Sequence, residues 1–221
     1  MVYPSKSEFI KLAKKGNLIP VYKEILADFD TPLSSFSKID DGTHSYLLES
    51  VEGGERLARY SFLGSNPSLI FQSKGRSIKI KEFNKTKTYT TREDPLHEIK
   101  TLMKKYRFVP VSGLPRFCGG LVGYIGYDIV RFFEKLPDKN KDDLKLPDAI
   151  FVLTDTILIF DHVERVIKIV SNAFVKGNPA SAYRKAVEKI EEIERKLKKN
   201  ISLTRHKTAR SRRVRVYSNV Q

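Results

Sequence analysis

Two apolar runs, residues 46–48 and 60–63, flank a Gly-Gly pair. This pattern predicts a β-hairpin, because glycines permit the turn and a strand presents successive side chains to opposite faces. In the second strand Arg59 and Ser61 then share one face. Because the first strand ends in a carboxylate, the hairpin brings a carboxylate, a hydroxyl and a guanidinium together on an apolar ribbon. The same pattern also fits an ordinary half-buried hairpin with surface charges.

Other stretches have the length and periodicity of strands. Residues 149–160 form an apolar run that is too long for a surface strand, so the run predicts one central strand. Residues 165–171 are predicted to be its antiparallel partner. Residues 77–81 and 87–90 alternate and predict a second hairpin. The remaining predicted strands are 18–28 and 68–73.

Capping residues predict where the helices begin. Ser, Thr, Asp and Asn satisfy the first free N–H groups of a helix, and proline fits its first position. Helices are therefore predicted to begin after Ser5, Asp94 and Asn178, and Ser5 forms a capping box with Glu8. After Thr31-Pro32, residues 33–39 are predicted to form no more than a helical turn. The last helix has the clearest apolar stripe. Its members are Tyr183, Val187, Ile190, Ile193 and Leu197.

Strands that come mostly as hairpins, with few helices between them, predict antiparallel sheets and the α+β class. A chain of 221 residues is long enough for one domain with a substantial core.

No apolar run reaches a membrane-spanning length, and the first residues lack the apolar core of a signal peptide, so we expect a cytoplasmic protein. The single cysteine, Cys118, excludes an intrachain disulfide, and the four scattered histidines lack metal-binding spacing.

Positive charge is concentrated at one end of the chain. Residues 195–221 hold ten Lys and Arg and no Asp or Glu, which is most of the net charge of +15. Residues 200–221 contain little core material, so we predict a domain over residues 1–199 followed by a basic linker or disordered tail. The cluster at 210–215 resembles a phosphate-binding patch, but no aromatic platform accompanies it, so nucleic-acid binding is not favoured.

Residues 117–128 form a second distinctive stretch, in which Gly120, Gly123 and Gly126 alternate with aromatic and apolar residues. The spacing differs from the Gly-x-Gly-x-x-Gly of dinucleotide-binding loops, and no strand–helix–strand pattern surrounds it. We therefore predict a structural role, with close backbone packing beneath large rings. Cys118 lies in this stretch and is predicted to be a small packed side chain, not a nucleophile.

Two stretches carry a family resemblance. One is Leu47-Leu48-Glu49-Ser50 with its continuation to Phe62. The other runs from Pro115 to Asp128 and has the form Pro-x-Phe-x-Gly-Gly-x-x-Gly-Tyr-x-Gly-Tyr-Asp. Both resemble anthranilate synthase component I, and the resemblance covers residues 1–199. It implies largely antiparallel β-sheets packed face to face, with helices outside.

The resemblance implies a role in tryptophan synthesis. The family converts chorismate and ammonia to anthranilate and pyruvate, with ammonia released from glutamine by a glutaminase subunit, component II. This chain resembles the N-terminal regulatory part. In the family, the residues for chorismate, Mg²⁺ and lyase chemistry lie in a catalytic portion without a counterpart here. We therefore expect no catalytic or metal-binding residue in this chain, which would be a fragment, a truncated gene product or half of a split enzyme, inactive alone.

The family binds L-tryptophan as a feedback inhibitor at this hairpin. Ser50 matches the tryptophan-binding serine of the family, and Ser50 and Glu49 are expected to serve the ammonium group. Arg59 or Ser61 would serve the carboxylate. In the family the catalytic portion completes the pocket, so this chain alone would bind weakly or not at all. The residues expected to wall the indole are Leu48 and Tyr60.

Two alternatives stay open. The first is the N-terminal part of aminodeoxychorismate synthase component I, which shares this architecture. The continuation Val51-Glu52-Gly53-Gly54-Glu55-Arg56 fits the anthranilate enzyme better, and the identity of the product would separate the two. The second is a stand-alone, non-enzymatic module that binds an amino acid, or RNA through its basic tail.

Overall fold

The computed structural model describes residues 1–49, 59–137 and 141–199. In these ranges eleven strands form two antiparallel sheets, and four α-helices pack against them. The α+β class and the antiparallel sheets predicted from the sequence are therefore confirmed. Within this part of the chain, no helix combines the length and apolarity needed to cross a membrane. The predicted tail, residues 200–221, lies outside the described residues.

Eleven strands are divided between the two sheets. In chain order they are β1 (Val2–Tyr3), β2 (Leu18–Leu26), β3 (Tyr46–Leu48), β4 (Tyr60–Gly64), β5 (Leu69–Lys74), β6 (Ser77–Glu82), β7 (Lys85–Thr90), β8 (Gly120–Ile125), β9 (Ala149–Thr154), β10 (Thr156–Asp161) and β11 (Val166–Phe174). The first sheet has the spatial order β1-β2-β11-β10-β4-β3, and the second has the order β7-β6-β5-β9-β8. The predicted pairings β3–β4, β6–β7 and β10–β11 are all confirmed.

Three of the four α-helices begin at their predicted caps, and the helical turn predicted after Thr31-Pro32 is a helix of eight residues. Ser5 and Glu8 form the capping box, in which the Glu8 N–H donates to Ser5 Oγ at 3.3 Å and the Ser5 N–H donates to Glu8 Oε2 at 2.9 Å. Asp94 and Asn178 accept N–H groups of the first turn in the same way. A short 3-10 helix spans Tyr127–Phe132. The α-helices are α1 (Lys6–Leu12), α2 (Pro32–Ile39), α3 (Pro95–Met103) and α4 (Pro179–Leu197).

The main core lies between the first sheet and the helices α1, α2 and α4 on its outer face. Phe9 of α1 and Ile190 of α4 are completely buried there, against β2 and β11 residues such as Ile19 and Ile169. The predicted stripe of α4 is confirmed, since Ile190 and Leu197 are buried and its other members pack against the same core. This packing fixes the sheet that carries the hairpin.

The opposite, inner face of the first sheet is covered by the segment that leads into β8. Phe117 and Cys118 of this segment pack against Ile157, Ile159 and Val170. The second sheet has its own small core, in which α3 contributes Ile99 and Leu102. The two sheets face each other across a cavity that residues of both sheets line.

The prediction of one central strand over residues 149–160 is wrong. The run is divided at Asp155 into β9, which belongs to the second sheet, and β10, which belongs to the first. The N–H of Asp155 turns back to the carbonyl of Leu153, and its carboxylate pairs with Lys189 of α4 and accepts the Ser68 N–H. These three contacts hold Asp155 between the two strands. One continuous apolar run therefore contributes a strand to each sheet. Both halves are interior strands, as expected.

Candidate functional site

The hairpin predicted from the sequence is present in its two strands. Tyr46 pairs with Gly64, and Leu48 pairs with Phe62, in antiparallel register. A side chain at Gly64 would overlap the ring of Tyr46, so this glycine permits the close approach of the two strands. The turn, with Gly53-Gly54, lies outside the described residues.

The register of the hairpin decides which side chains reach the space between the sheets. Directly paired residues of an antiparallel ladder share a face, so Leu48, Phe62 and Tyr60 lie on the inner face. Ser61 and Leu63 lie on the outer face, toward the helices, and Ser61 is 2% exposed. The inner side of the hairpin is thus apolar, and the Ser61 hydroxyl is buried on its outer side.

A cavity of about 660 Å³ lies between the inner face of the hairpin and the second sheet. This volume falls within the usual range for small-molecule sites, about 300–1,000 Å³. We call it the hairpin cavity. Its walls come from the hairpin, the segment before β8, β8 itself and β9. The lining residues are Leu48, Glu49, Arg59, Tyr60, Phe62, Phe117, Leu121, Val122, Gly123 and Phe151.

Aromatic rings form one wall of the hairpin cavity. The ring centroids of Tyr60 and Phe62 are 6.0 Å apart, and those of Phe62 and Phe117 are 5.1 Å apart at an interplanar angle of 82°. Edge-to-face pairs of this kind favour a fixed arrangement of the rings. The wall is therefore suited to a flat apolar group.

A charged pair lies at one end of this wall. Arg59 donates from Nε to Asp161 Oδ1 at 3.0 Å and from Nη2 to Asp161 Oδ2 at 2.7 Å, and its guanidinium carbon lies 5.0 Å from the centre of the Tyr60 ring. The Asp161 side chain is 1% exposed. Burial acts to raise the pKa of the Asp161 carboxyl, but the guanidinium and the N–H groups of Val163 and Glu164 outweigh burial and lower this pKa.

A second polar group lies behind the wall. The Ser61 hydroxyl is 2.7 Å from Nε2 of His162 and 3.5 Å from Oε1 of Glu49. The His162 ring also stacks on Phe160, with ring centroids 6.3 Å apart. His162 and Glu49 thus meet the same buried hydroxyl from two strands that are far apart in the sequence.

The structure brings together most of the residues that the sequence selected. Four of them line the hairpin cavity, namely Leu48, Glu49, Arg59 and Tyr60. Ser61 lies behind the cavity wall, where it contacts His162 and Glu49. Ser50 lies outside the described residues. The roles assigned to all six residues stay predictions.

Sequence reasoning did not select Asp161 and His162, which contact the hairpin from the end of β10. They lie about one hundred positions after Arg59 and Ser61, and only the β4–β10 register brings the pairs together. The sequence showed Asp161-His162 only as a turn between two strands. Phe117 and the residues of β8 were selected, but for a structural role.

That structural role is confirmed at Gly123. A side chain there would overlap the carbonyl of Ile150 in the paired strand β9, so the two backbones approach too closely for any residue but glycine. Cys118 is confirmed as a buried packed residue, and burial raises the pKa of its thiol. A raised thiol pKa disfavours the reactive thiolate.

A second cavity, of about 590 Å³, lies at the other end of the space between the sheets, against α4. Leu18, Leu153 and Ala182 are among its apolar lining residues, and Lys185 and Lys189 lie at its edge. None of the residues selected from the sequence as a ligand site lines it. In the described ranges, no group of three or more His, Cys, Asp and Glu side chains is placed to hold a metal ion.

Comparisons with known proteins bear on this site. The sequence profile described as chorismate binding enzyme matches residues 43–219. Anthranilate synthase component 1 of Acetivibrio thermocellus is 42% identical over 209 residues, covering 95% of this chain and 41% of that protein. The protein of the same name from Aquifex aeolicus is 40% identical over 195 residues, covering 88% and 39%. These relatives confirm the resemblance indicated by the sequence, and the chain spans about two fifths of their length.

A solved structure, anthranilate synthase component I from Streptococcus pneumoniae TIGR4, aligns with a TM-score of 0.49 at 23% identity. The alignment covers 77% of this chain and 36% of the solved chain.

Proposed function

The chain belongs to the family of chorismate-binding enzymes, and from this premise we propose that it is the N-terminal, tryptophan-binding part of an anthranilate synthase component I. The two relatives described above are both named anthranilate synthase component 1, which supports this enzyme over its aminodeoxychorismate counterpart. The hairpin cavity supports the tryptophan-binding role.

One observation carries the proposal: the hairpin cavity has an aromatic wall, and an acidic and a basic residue are among the residues that line it. A zwitterionic amino acid needs an acceptor for its ammonium group and a donor for its carboxylate, and an indole needs an apolar slot. Glu49 and Arg59 line the same cavity as Tyr60 and Phe62. Three of the five N–H groups of Arg59 are not used by Asp161, so a carboxylate in the cavity has donors to meet.

The activity of the whole protein follows from the resemblance. We propose that the complete synthase converts chorismate and ammonia to anthranilate and pyruvate. A glutaminase, component II, would supply the ammonia, and Mg²⁺ and chorismate would bind residues of the catalytic portion. The resemblance assigns no catalytic role to a residue of this chain. We therefore expect no anthranilate from the 221-residue chain with chorismate, ammonia and Mg²⁺, which anthranilate fluorescence would measure directly.

Tryptophan would act by a coupling between two sites. If it binds more tightly to an arrangement of the two portions that binds chorismate poorly, chorismate must weaken tryptophan binding by the same factor. This reciprocity can be measured in the complete synthase, as the tryptophan affinity with and without chorismate. Equal affinity in both conditions would contradict the proposed inhibition.

The tryptophan site can be tested on the chain itself, because it contains no tryptophan. Fluorescence excited where tyrosine does not absorb then comes from the added L-tryptophan alone, and its anisotropy rises on binding. Because the catalytic portion is expected to complete the pocket, we expect weak, saturable binding to the wild-type chain at high ligand concentration, and loss of binding in Ser50→Phe. Leu144→Phe, at an exposed position away from the cavity lining, is the matched control. Normal binding by Ser50→Phe would contradict the assigned site.

A further inference from the structure

Two consecutive residues at the end of β10 reach the charged groups of the hairpin cavity, one directly and one through a hydroxyl. Asp161 holds Arg59, and His162 contacts Ser61, which in turn contacts Glu49. We infer that the dipeptide Asp161-His162 is the positioning element of this site: Asp161 orients the cation for a ligand carboxylate, and His162, through Ser61, orients the anion for a ligand ammonium. This inference rests on the proposed tryptophan site.

The geometry of the Arg59–Asp161 pair supports the first half. Asp161 accepts from Nε and Nη2, which form one edge of the planar guanidinium. The exposed Glu164 carboxylate lies 3.6 Å from Nη2, beyond hydrogen-bond distance. The other edge, formed by Nη1 and the second Nη2 hydrogen, can therefore donate two parallel hydrogen bonds to a ligand carboxylate. The Asp161 carboxylate is itself fixed by the backbone N–H groups of Val163 and Glu164, each at 3.1 Å. Because Asp161 is held in place and binds one edge of the guanidinium, it also fixes the direction in which the other edge of Arg59 points.

The donor count at Ser61 supports the second half. An ionised Glu49 carboxylate can only accept, so in a Ser61–Glu49 hydrogen bond the hydroxyl is the donor. A hydroxyl has one hydrogen. If Ser61 directs it to Glu49 Oε1, 3.5 Å away, then Nε2 of His162, 2.7 Å away, is the donor to Ser61 Oγ. The relay runs from His162 Nε2–H to Ser61 Oγ–H to Glu49 Oε1. It requires the tautomer, or the protonated form, of His162 that carries hydrogen on Nε2.

Three indole ligands separate the two halves of the positioning element. L-Tryptophan has both charged groups, tryptamine lacks the carboxylate, and indole-3-propionate lacks the ammonium group. Binding of each to the full chain is measured by the anisotropy of the ligand fluorescence. We expect Asp161→Asn to weaken L-tryptophan and indole-3-propionate about tenfold or more, the size of a lost charge-assisted hydrogen bond. Tryptamine should stay within about twofold, because it makes no bond that Asp161 orients.

The His162 variants should give the complementary pattern. His162→Ala should weaken L-tryptophan and tryptamine but not indole-3-propionate. Ser61→Ala, which removes the bridging hydroxyl, should do the same. His162→Gln keeps an N–H donor near the Nε2 position and should restore most of the affinity. A purely structural role for His162 would weaken all three ligands together and would give no rescue by glutamine.

A second variant and a ligand-free measurement guard against misfolding. Arg59→Lys keeps the charge and loses the forked geometry, so it should reproduce the Asp161→Asn pattern. Circular dichroism and thermal unfolding check that each variant folds. The nitrogen chemical shifts of His162 in the wild-type chain should show hydrogen on Nε2, and an Nδ1–H tautomer would overturn the relay whatever the ligand data.

The outcomes distinguish this inference from the proposed function. If neither the wild-type chain nor the complete synthase binds any of the three indoles, the tryptophan site itself is wrong. If the wild-type chain binds them and a folded Asp161→Asn loses all three equally, Asp161 is a structural residue only. Tighter binding of indole-3-propionate by Asp161→Asn would mean that Asp161 competes with the ligand for Arg59, which also overturns the positioning role.

Discussion

At the scale of single residues, the pairing of Arg59 and Asp161 has the clearest consequence for the hairpin. A carboxylate that is 1% exposed is stable as an anion only when it is paired and hydrogen-bonded. Asp161 meets both conditions, through Arg59 and through two backbone N–H groups. The pair also ties β4 to the end of β10, so it stabilises the fold as well as the site.

The lowered pKa of Asp161 predicts a dependence of stability on pH. Its pKa is lower in the folded chain than the value of about 3.9 expected when unfolded. The unfolded state therefore takes up a proton first, and the stabilisation by this carboxylate is complete above that value. It is lost as the pH falls through the lowered folded pKa. Asp161→Asn should be less stable than the wild type near pH 7, and the difference should shrink in acid.

Urea unfolding at a series of pH values measures this difference. Glu164→Gln is the control, because Glu164 is 62% exposed and lies 3.6 Å from Arg59, so its loss should matter little at any pH. A difference between wild type and Asp161→Asn that stayed constant down to strong acid would contradict a lowered pKa.

Gly123 gives a second prediction at this scale. Gly123→Ala places a methyl group against the backbone carbonyl of Ile150, which cannot move without disturbing the β8–β9 pairing. We expect destabilisation of about 1–3 kcal/mol, as for overpacking. Gly126→Ala in the same run is the control, since the nearest atom to its methyl, the Asp148 carbonyl oxygen, is at 3.2 Å and can shift slightly. Equal unfolding midpoints in denaturant for the two variants would show that Gly123 is not tightly packed.

At the scale of elements, local signals account for much of the fold. Caps located the start of three of the four α-helices, because a cap residue satisfies N–H groups only a few positions away. Alternation located the paired strands of each hairpin. The run at 149–160 was misjudged because Asp155 ends β9 through contacts with Ser68 and Lys189, which no local pattern reveals.

The helix α4 gives the prediction at this scale. Ile190 is completely buried at the centre of the helix and packs in the main core. Ile190→Ala should reduce the free energy of unfolding by about 2–5 kcal/mol, the usual cost of a cavity in a core. Its exposed neighbour Glu191→Ala should change it by no more than about 0.5 kcal/mol. Similar midpoints in urea for the two variants would mean that α4 does not fix the first sheet.

At the scale of the whole molecule, the site depends on contacts between distant segments. The hairpin supplies Glu49 and Arg59, the segment before β8 supplies Phe117, β9 supplies Phe151, and the end of β10 supplies Asp161. The sequence could select the hairpin, because its residues are consecutive and resemble a known family. It could not select the opposite wall or the positioning residues, because their proximity exists only after two sheets have formed.

The proposed tryptophan site at the hairpin face is tested most directly by the location of the bound ligand. We would label the methyl groups of the full chain and measure nuclear Overhauser effects from the indole protons of L-tryptophan. We predict contacts with the methyl groups of Leu48, Leu121 and Val122, which line the hairpin cavity. Contacts confined to Leu18 and Ala182 would place the ligand in the second cavity. That result, or the absence of any contact at saturation, would contradict a tryptophan site at the hairpin.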